Sequence, residues 1–290
     1  MTGAMVLIIL NDSMIKLATD TVPAAQAIAV RGGFATALVL AAVLAVLPRG
    51  QLAKLAERRT MGRAVLDVVG TFTYLYALFN LPIADATAIN MAAPLFVVPL
   101  AVVYLRETVP WPRWASVLAG FAGMLLVVRP GGASYTPWAA LCLGATVLHA
   151  FRDIYTRGIA LHVPSLIVTL ATALAVTLCA LVITTAQGWQ PMATNEVGLL
   201  AGAAVCLAGG YHLGVVAMRA GDVSLIGAFR YSALPAAAVL GWLIWGQLPD
   251  LLALAGMAVL VVAGVAILHG AGSAEIVPVS SGNAHGITEK

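Results

Sequence analysis

Ten apolar stretches, each close to twenty residues long, follow one another through most of this chain. They run over about 3–19, 24–47, 62–81, 84–105, 113–129, 136–158, 164–187, 197–218, 222–246 and 250–269. A bilayer core takes roughly 20 helical residues to cross, and in hydrocarbon only helices and closed barrels satisfy every backbone N–H and C=O. The pattern therefore predicts an all-α integral membrane protein with ten transmembrane helices. Composition agrees, with 61% of residues hydrophobic and 9% charged, whereas soluble domains carry about 25% charge. So little charge cannot coat a globule of 290 residues, and most of the surface is left to meet lipid.

Pro, Gly and charged residues punctuate the junctions, as at Pro48-Arg49-Gly50, Pro110-Trp111-Pro112, Arg129-Pro130-Gly131-Gly132 and Pro249-Asp250. The apolar N-terminal run has no basic leader and no small-residue cleavage site, so it reads as a first helix that stays. Residues 271–290 are polar, contain Gly and Ser, and read as a disordered tail. With the N-terminus in the cytoplasm, the inner loops hold Arg49, Lys54, Arg58, Arg59, Arg63, Arg106, Arg113, Arg157 and Arg219, and the outer loops only Arg129. That imbalance predicts a multi-pass protein of the cell (inner) membrane with both termini cytoplasmic. Cys142, Cys179 and Cys206 lie in apolar runs and read as core cysteines.

The segment NDSMIKLATDTVP, residues 11–23, places Asn11, Asp12 and Lys16 inside the first span. A charge at the centre of a membrane helix costs roughly 2.5–3.5 kcal/mol on insertion scales, so these residues are expected to face a wet cavity. The segment also occurs twice. Shifted by 141 positions, Asp12, Lys16, Val22 and Pro23 fall on Asp153, Arg157, Val163 and Pro164. Tyr74, Asp85, Thr87 and Ile89 fall on Tyr211, Asp222, Ser224 and Ile226 at 137. Ala119, Gly120 and Ala122 fall on Ala255, Gly256 and Ala258 at 136. Five helices per copy is an odd number, so the second copy enters the membrane from the opposite side. The expected organisation is two inverted five-helix repeats, residues 1–130 and 131–270, an arrangement that places a substrate site near the midplane.

These residues carry a family resemblance. Asn11 to Lys16 and the Arg31 segment IAVRGGFATALVLA come first, then DATAIN from Asp85, Pro94-Leu95, Leu105-Arg106-Glu107 and AGFAG from Ala119. The second copy has DVSLIG from Asp222, Pro235, Trp245-Gly246-Gln247 and Ala255-Gly256. Over residues 1–270 the chain resembles the EamA repeats of the drug/metabolite transporter superfamily, and within it the YddG-type exporters of aromatic and other amino acids. It departs at Gln247, where the family has Glu. The resemblance implies a secondary transporter exporting amino acids and related small metabolites by alternating access, with a cavity lined by helices 1, 3, 4, 6, 8 and 9. Export of drugs or other metabolites is the alternative.

A zwitterionic amino acid needs donors for its carboxylate, acceptors for its ammonium group and an apolar or aromatic wall. The candidate substrate residues are Asn11, Asp12, Lys16, Tyr74, Tyr76, Asn90, His149, Asp153, Tyr211 and Arg230. Asp12 and Lys16, like Asp153 and Arg157, are spaced to neutralise each other on one helical face. His149, Arg152 and Asp153 together are candidates for substrate binding or proton relay, histidine being the switch near neutral pH. Phe72, Tyr76 and Phe79 share one face of helix 3, with Tyr74 offset from it. Arg230 is assigned a substrate carboxylate, and Arg31 is paired with Asp67. Pro94, Pro99 and Pro235 each remove a helical hydrogen bond and are candidate hinges.

Other classes fit less well. There is no HExxH, GxSxG or GxGD signature, so no enzyme activity is expected. Lysine occurs only at positions 16, 54 and 290, none preceded by Gly, so there is no Walker A loop. No cofactor, metal or nucleic acid is expected, and a net charge of +3 makes no nucleic-acid footprint. The expected partners are a small-molecule substrate and the bilayer, with protons the candidate coupling ion. A channel or purely structural membrane protein remains open, as does the oligomeric state.

Overall fold

The computed structural model describes residues 1–106, 109–128, 136–157, 159, 162–220 and 229–272. Among them there is no strand. Eleven α-helices are present: α1 (Thr2–Ala18), α2 (Ala24–Val46), α3 (Arg58–Asn80), α4 (Ile83–Asn90), α5 (Ala93–Leu105) and α6 (Trp111–Val128), then α7 (Pro137–Arg157), α8 (Ser165–Gln187), α9 (Thr194–Ala220), α10 (Ala233–Trp245) and α11 (Leu251–Gly272). Short 3₁₀ segments, Arg49–Ala56 and Phe229–Ser232, precede α3 and α10. Asp222, Ser224, Ile226, Glu107 and the Arg129 to Gly132 junction lie outside the described residues, as does the tail from residue 273.

Local chemistry sets the helix ends. Pro23 and Pro164 occupy the N-caps of α2 and α8, where the absent N–H costs no helical bond. Gly188 ends α8 at φ 91°, a left-handed turn that a side chain would resist. By length and apolarity Ala24–Val46, Ile83–Tyr104, Trp111–Val128, Ser165–Gln187 and Thr194–Leu213 each suffice to cross a bilayer. Val103, Val182, Val262 and Leu251 point outward from the bundle. An outer surface this apolar suits lipid and not water.

The fourth predicted span is not one continuous helix. It breaks at Met91–Ala92, and the chain resumes as α5. Pro94 has no N–H to give the carbonyl of Asn90, so the ladder must lapse there. Ala92 and Leu95 instead donate to carbonyls three residues back, at 3.1 and 2.9 Å. The described part of the ninth span runs from the 3₁₀ turn Phe229–Ser232 into α10 at Ala233, with Pro235 in the first turn of α10. Pro94 thus stands at the start of a helix, and Pro99 lies inside α5.

Helices from the two ends of the chain pack in pairs: α1 along α9, α2 along α8, α3 along α7, and α6 along α11. Further contacts join α2 to α9, α3 to α8, α7 to α4 and α5, and α10 to α1 and α4. The closest backbone approach between α6 and α11 rests on two glycines. A Cβ on Gly123 would lie 2.8 Å from the carbonyl oxygen of Gly256, and one on Gly256 would lie 2.5 Å from that of Gly123. Such contacts are how membrane helices gain dispersion energy without a hydrophobic drive. Polar clasps tie the connections. Gln26 exchanges two hydrogen bonds with the backbone of Gln190, at 2.8 and 3.0 Å, and the Thr21 hydroxyl donates to Glu196 at 2.6 Å. Elsewhere His162 meets Glu57 at 3.1 Å, and Lys54 donates to the His162 carbonyl.

Candidate functional site

Two polar clusters occupy the interior. The first is built on α1, which carries Asn11 and Asp12 into its packed face; both are buried. Asn11 Nδ2 donates to Asp12 Oδ1 at 2.9 Å, and the Tyr74 hydroxyl on α3 donates to Asp12 Oδ2 at 3.0 Å. Arg31 on α2 reaches Asn11 Oδ1 at 3.3 Å. Tyr74 also leans on His149 of α7, ring centroids 5.9 Å apart. His149 Nδ1 in turn lies 3.0 Å from Asn90 Oδ1, at the last residue of α4. Gly70 makes room for that imidazole, since a Cβ there would stand 2.9 Å from its Cδ2. Asn11, Asp12, Tyr74, His149 and Asn90 are thus brought together on four helices.

The second cluster is centred on Asp67 of α3. Arg63, one turn earlier, pairs with its Oδ2 at 2.7 Å, and Arg152 of α7 pairs with its Oδ1 at 3.0 Å. Arg152 also grips Asp153 Oδ1 at 2.7 and 3.0 Å. Thr172 of α8 donates to Asp67 at 2.8 Å while accepting from Arg63 at 2.7 Å. Thr156 accepts from Arg63 Nε at 2.9 Å. Two arginines and two aspartates therefore cancel within one hydrogen-bonded group, the form in which buried charge is tolerable.

Several expected pairings are corrected. Lys16 does not neutralise Asp12. Its ammonium donates to the carbonyls of Leu78, at 2.9 Å, and Leu81, and lies 5.3 Å from the centre of the Trp245 ring. Carbonyls at a helix C-terminus lack intrahelical donors, so a cation placed there is well used; Lys16 ties α1 to the end of α3 and to α10. Arg31 does not pair with Asp67, whose oxygens Arg63, Arg152 and Thr172 occupy. His149 turns to Asn90 instead of Asp153, four residues on. The side chain of Arg157 lies outside the described residues. Tyr76 stacks with Phe79, centroids 6.5 Å apart, apart from Tyr74. Arg230 is exposed in the 3₁₀ segment before α10. Tyr211 on α9 is 56% exposed and close enough to Arg31 and Arg152 to interact electrostatically with both.

Asp67, Arg63 and Thr172 were not among the expected site residues, although the four-residue spacing from Arg63 to Asp67 was visible. Among the described residues no group of three or more His, Cys, Asp or Glu side chains could hold a metal.

Against known proteins, the first half of the chain matches the EamA-like transporter family over residues 1–129. Residues 1–129 are thus similar to an EamA-like transporter domain, and other similar proteins align across both halves of the chain. It is 28% identical over 259 residues to the pseudopaline exporter CntI of Pseudomonas aeruginosa (strain UCBPP-PA14), covering 88% of this chain and 90% of that one. It is 24% identical over 201 residues to an S-adenosylmethionine uptake transporter of Rickettsia conorii, 69% and 67% covered. It is 27% identical over 188 residues to a riboflavin transporter of Vibrio cholerae, 64% and 63% covered. One solved structure superposes with TM-score 0.64 at 21% identity, covering 94% of this chain and 97% of that one, which speaks for the fold alone. Its apolar helices and its EamA-like domain make this a multi-pass membrane protein.

Proposed function

We propose that this EamA-like chain is a secondary transporter that exports amino acids, aromatic ones included, by alternating access. The buried Asp12 carries the reading. It is held by Asn11 and Tyr74 where α1 and α3 of the first half meet α9 and α7 of the second. A carboxylate kept in a membrane interior needs a use, and an ammonium group of a substrate is the partner it suits. Tyr74 and His149 supply ring faces beside it, Asn90 and Asp153 further acceptors, and Tyr211 a phenol in the neighbourhood of Arg31 and Arg152. Arg230 is left at an exposed position before α10.

The packing supports two inverted repeats. With α4 and α5 counted as one span, and Phe229–Ser232 counted with α10, there are ten spans. Exchanging the first five with the second five turns the α1–α9 pair into the α7–α3 pair, and α2–α9 into α8–α3. It returns α2–α8 and α6–α11 to themselves. Pro94 and Pro235 stand 141 positions apart, each in the first turn of a helix of 13 residues. Prolines paired in this way suit two elements that tilt together as a central site opens to either face; Pro99, within α5, adds a second weak point there. Both termini are cytoplasmic in this reading, and protons are the candidate coupling ion.

Export of a different metabolite is the second reading, favoured by the substrates for which the relatives are named: pseudopaline, S-adenosylmethionine and riboflavin. Counterflow in proteoliposomes of the purified protein tests both. Preloaded phenylalanine or leucine is expected to accelerate uptake of the labelled compound. Acceleration only by riboflavin or S-adenosylmethionine moves the assignment to the second reading, and flux without counterflow makes the protein a channel.

A further inference from the structure

The guanidinium of Arg31 is buried, 6% exposed, inside the bundle. It offers five N–H donors in a rigid fork. Among the described residues it makes one hydrogen bond, a long one, to the amide oxygen of Asn11, and its Nε has no partner. Asp12 lies beyond that amide and feels the charge, yet no ion pair joins them. Buried donors left unsatisfied are costly, the more so when charged, so a position like this persists where something else completes it.

The second cluster shows what completion looks like. Arg63 and Arg152 converge on Asp67, and Thr172 binds the same carboxylate. Thr172 stands 141 positions after Arg31, at the matching place in α8. The matching place for Asp67, 137 positions on in α9, is Ala204, which is fully buried and carries no charge. Helices α2 and α9 pack together as α8 and α3 do. The α3–α8 contact thus has a built-in carboxylate; the α2–α9 contact has a guanidinium and no carboxylate to meet it. Tyr211, on α9 and near Arg31, brings a phenol to the same region.

We infer that Arg31 receives a carboxylate of the transported substrate, which takes the place that Asp67 fills between α3 and α8. The inference rests on the transporter reading and names a chemical requirement within it: one planar anionic group, gripped by Nε and a terminal nitrogen together. With Asp12 close by, a carboxylate at Arg31 sets a neighbouring ammonium group toward Asp12.

The test is calorimetric titration of the full-length protein in detergent with L-phenylalanine and L-leucine, each as acid and as amide. The amine-free acids 3-phenylpropionate and 4-methylpentanoate complete the panel. The expected result is at least tenfold tighter binding of acids than amides by wild type. Arg31→Gln is expected to abolish that ratio, while Arg31→Lys, which keeps the charge but loses the fork, retains part of it. If Arg31→Gln does not fold, a reduced acid-to-amide ratio in Arg31→Lys serves the same purpose. An unchanged ratio in the variants, equal binding of acids and amides by wild type, or no acid binding at all would overturn the inference. Binding of the amine-free acids without the amino acids would sink the amino-acid reading and leave Arg31's role standing.

Discussion

The Asp67 cluster and the Asp12 cluster each set arginine near a buried aspartate and end in opposite states. Around Asp67 every charge has its opposite within 3.0 Å, and Thr156 and Thr172 accept further hydrogen bonds from Arg63. Around Asp12 an amide stands between acid and base, a phenol takes one carboxylate oxygen, and the arginine keeps an unused donor. A cluster paired in this way holds α3, α7 and α8 together. An unsaturated one has lower intrinsic stability and spare valence, which is what a binding site requires. On this account stability and substrate binding fall to different clusters.

That contrast can be broken by experiment. The largest effect is expected from Asp67→Asn, which leaves Arg63 without its carboxylate and Arg152 with Asp153 alone. A loss of about 3 kcal/mol or more follows from removing one partner of a buried charge group, seen as a large drop in Tm and in monodisperse yield. Next, Gly256→Leu forces α6 and α11 apart at the Gly123 contact and is expected to cost about 2–3 kcal/mol by overpacking; thermal unfolding reads it. It lies far from both clusters, so flux per folded molecule should hold.

Tyr74→Phe removes one hydroxyl from Asp12, at about 1 kcal/mol of stability, yet is expected to lower counterflow severalfold; an unchanged rate would remove Tyr74 from the site. The smallest effect concerns the backbone. α5 ends on Arg106 at φ 54°, whereas α10 ends on Gly246 at φ 66°. Non-glycine residues pay about 1–2 kcal/mol for that conformation, so Arg106→Gly is expected to raise Tm slightly with flux unchanged.

Much of this was legible in the chain. The spans expected at 24–47 and 164–187 became Ala24–Val46 and Ser165–Gln187, because apolar length and capping prolines are local signals. The interruption after Asn90 was foreshadowed by Pro94. What could not be read was partnership across helices. The spacing from Asp12 to Lys16 suggests a pair, but lysine's long stem reaches the open carbonyls ending α3, which no periodicity reveals. The pairing of Arg31 with Asp67 failed for the same reason: α7 brings Arg152 to that carboxylate first. Tyr74 was singled out only because Tyr211 echoes it 137 positions later.

The most direct test of the division of labour is counterflow per folded molecule, alongside Tm, for Asp12→Asn and Asp67→Asn measured side by side. The account predicts that Asp12→Asn keeps its Tm within a few degrees and loses tenfold or more in flux. Asp67→Asn should lose Tm heavily, while its surviving folded fraction transports within about twofold to threefold of wild type. The reverse pattern, a stable but inactive Asp67→Asn beside an active Asp12→Asn, would contradict it and move the transport site to the saturated cluster.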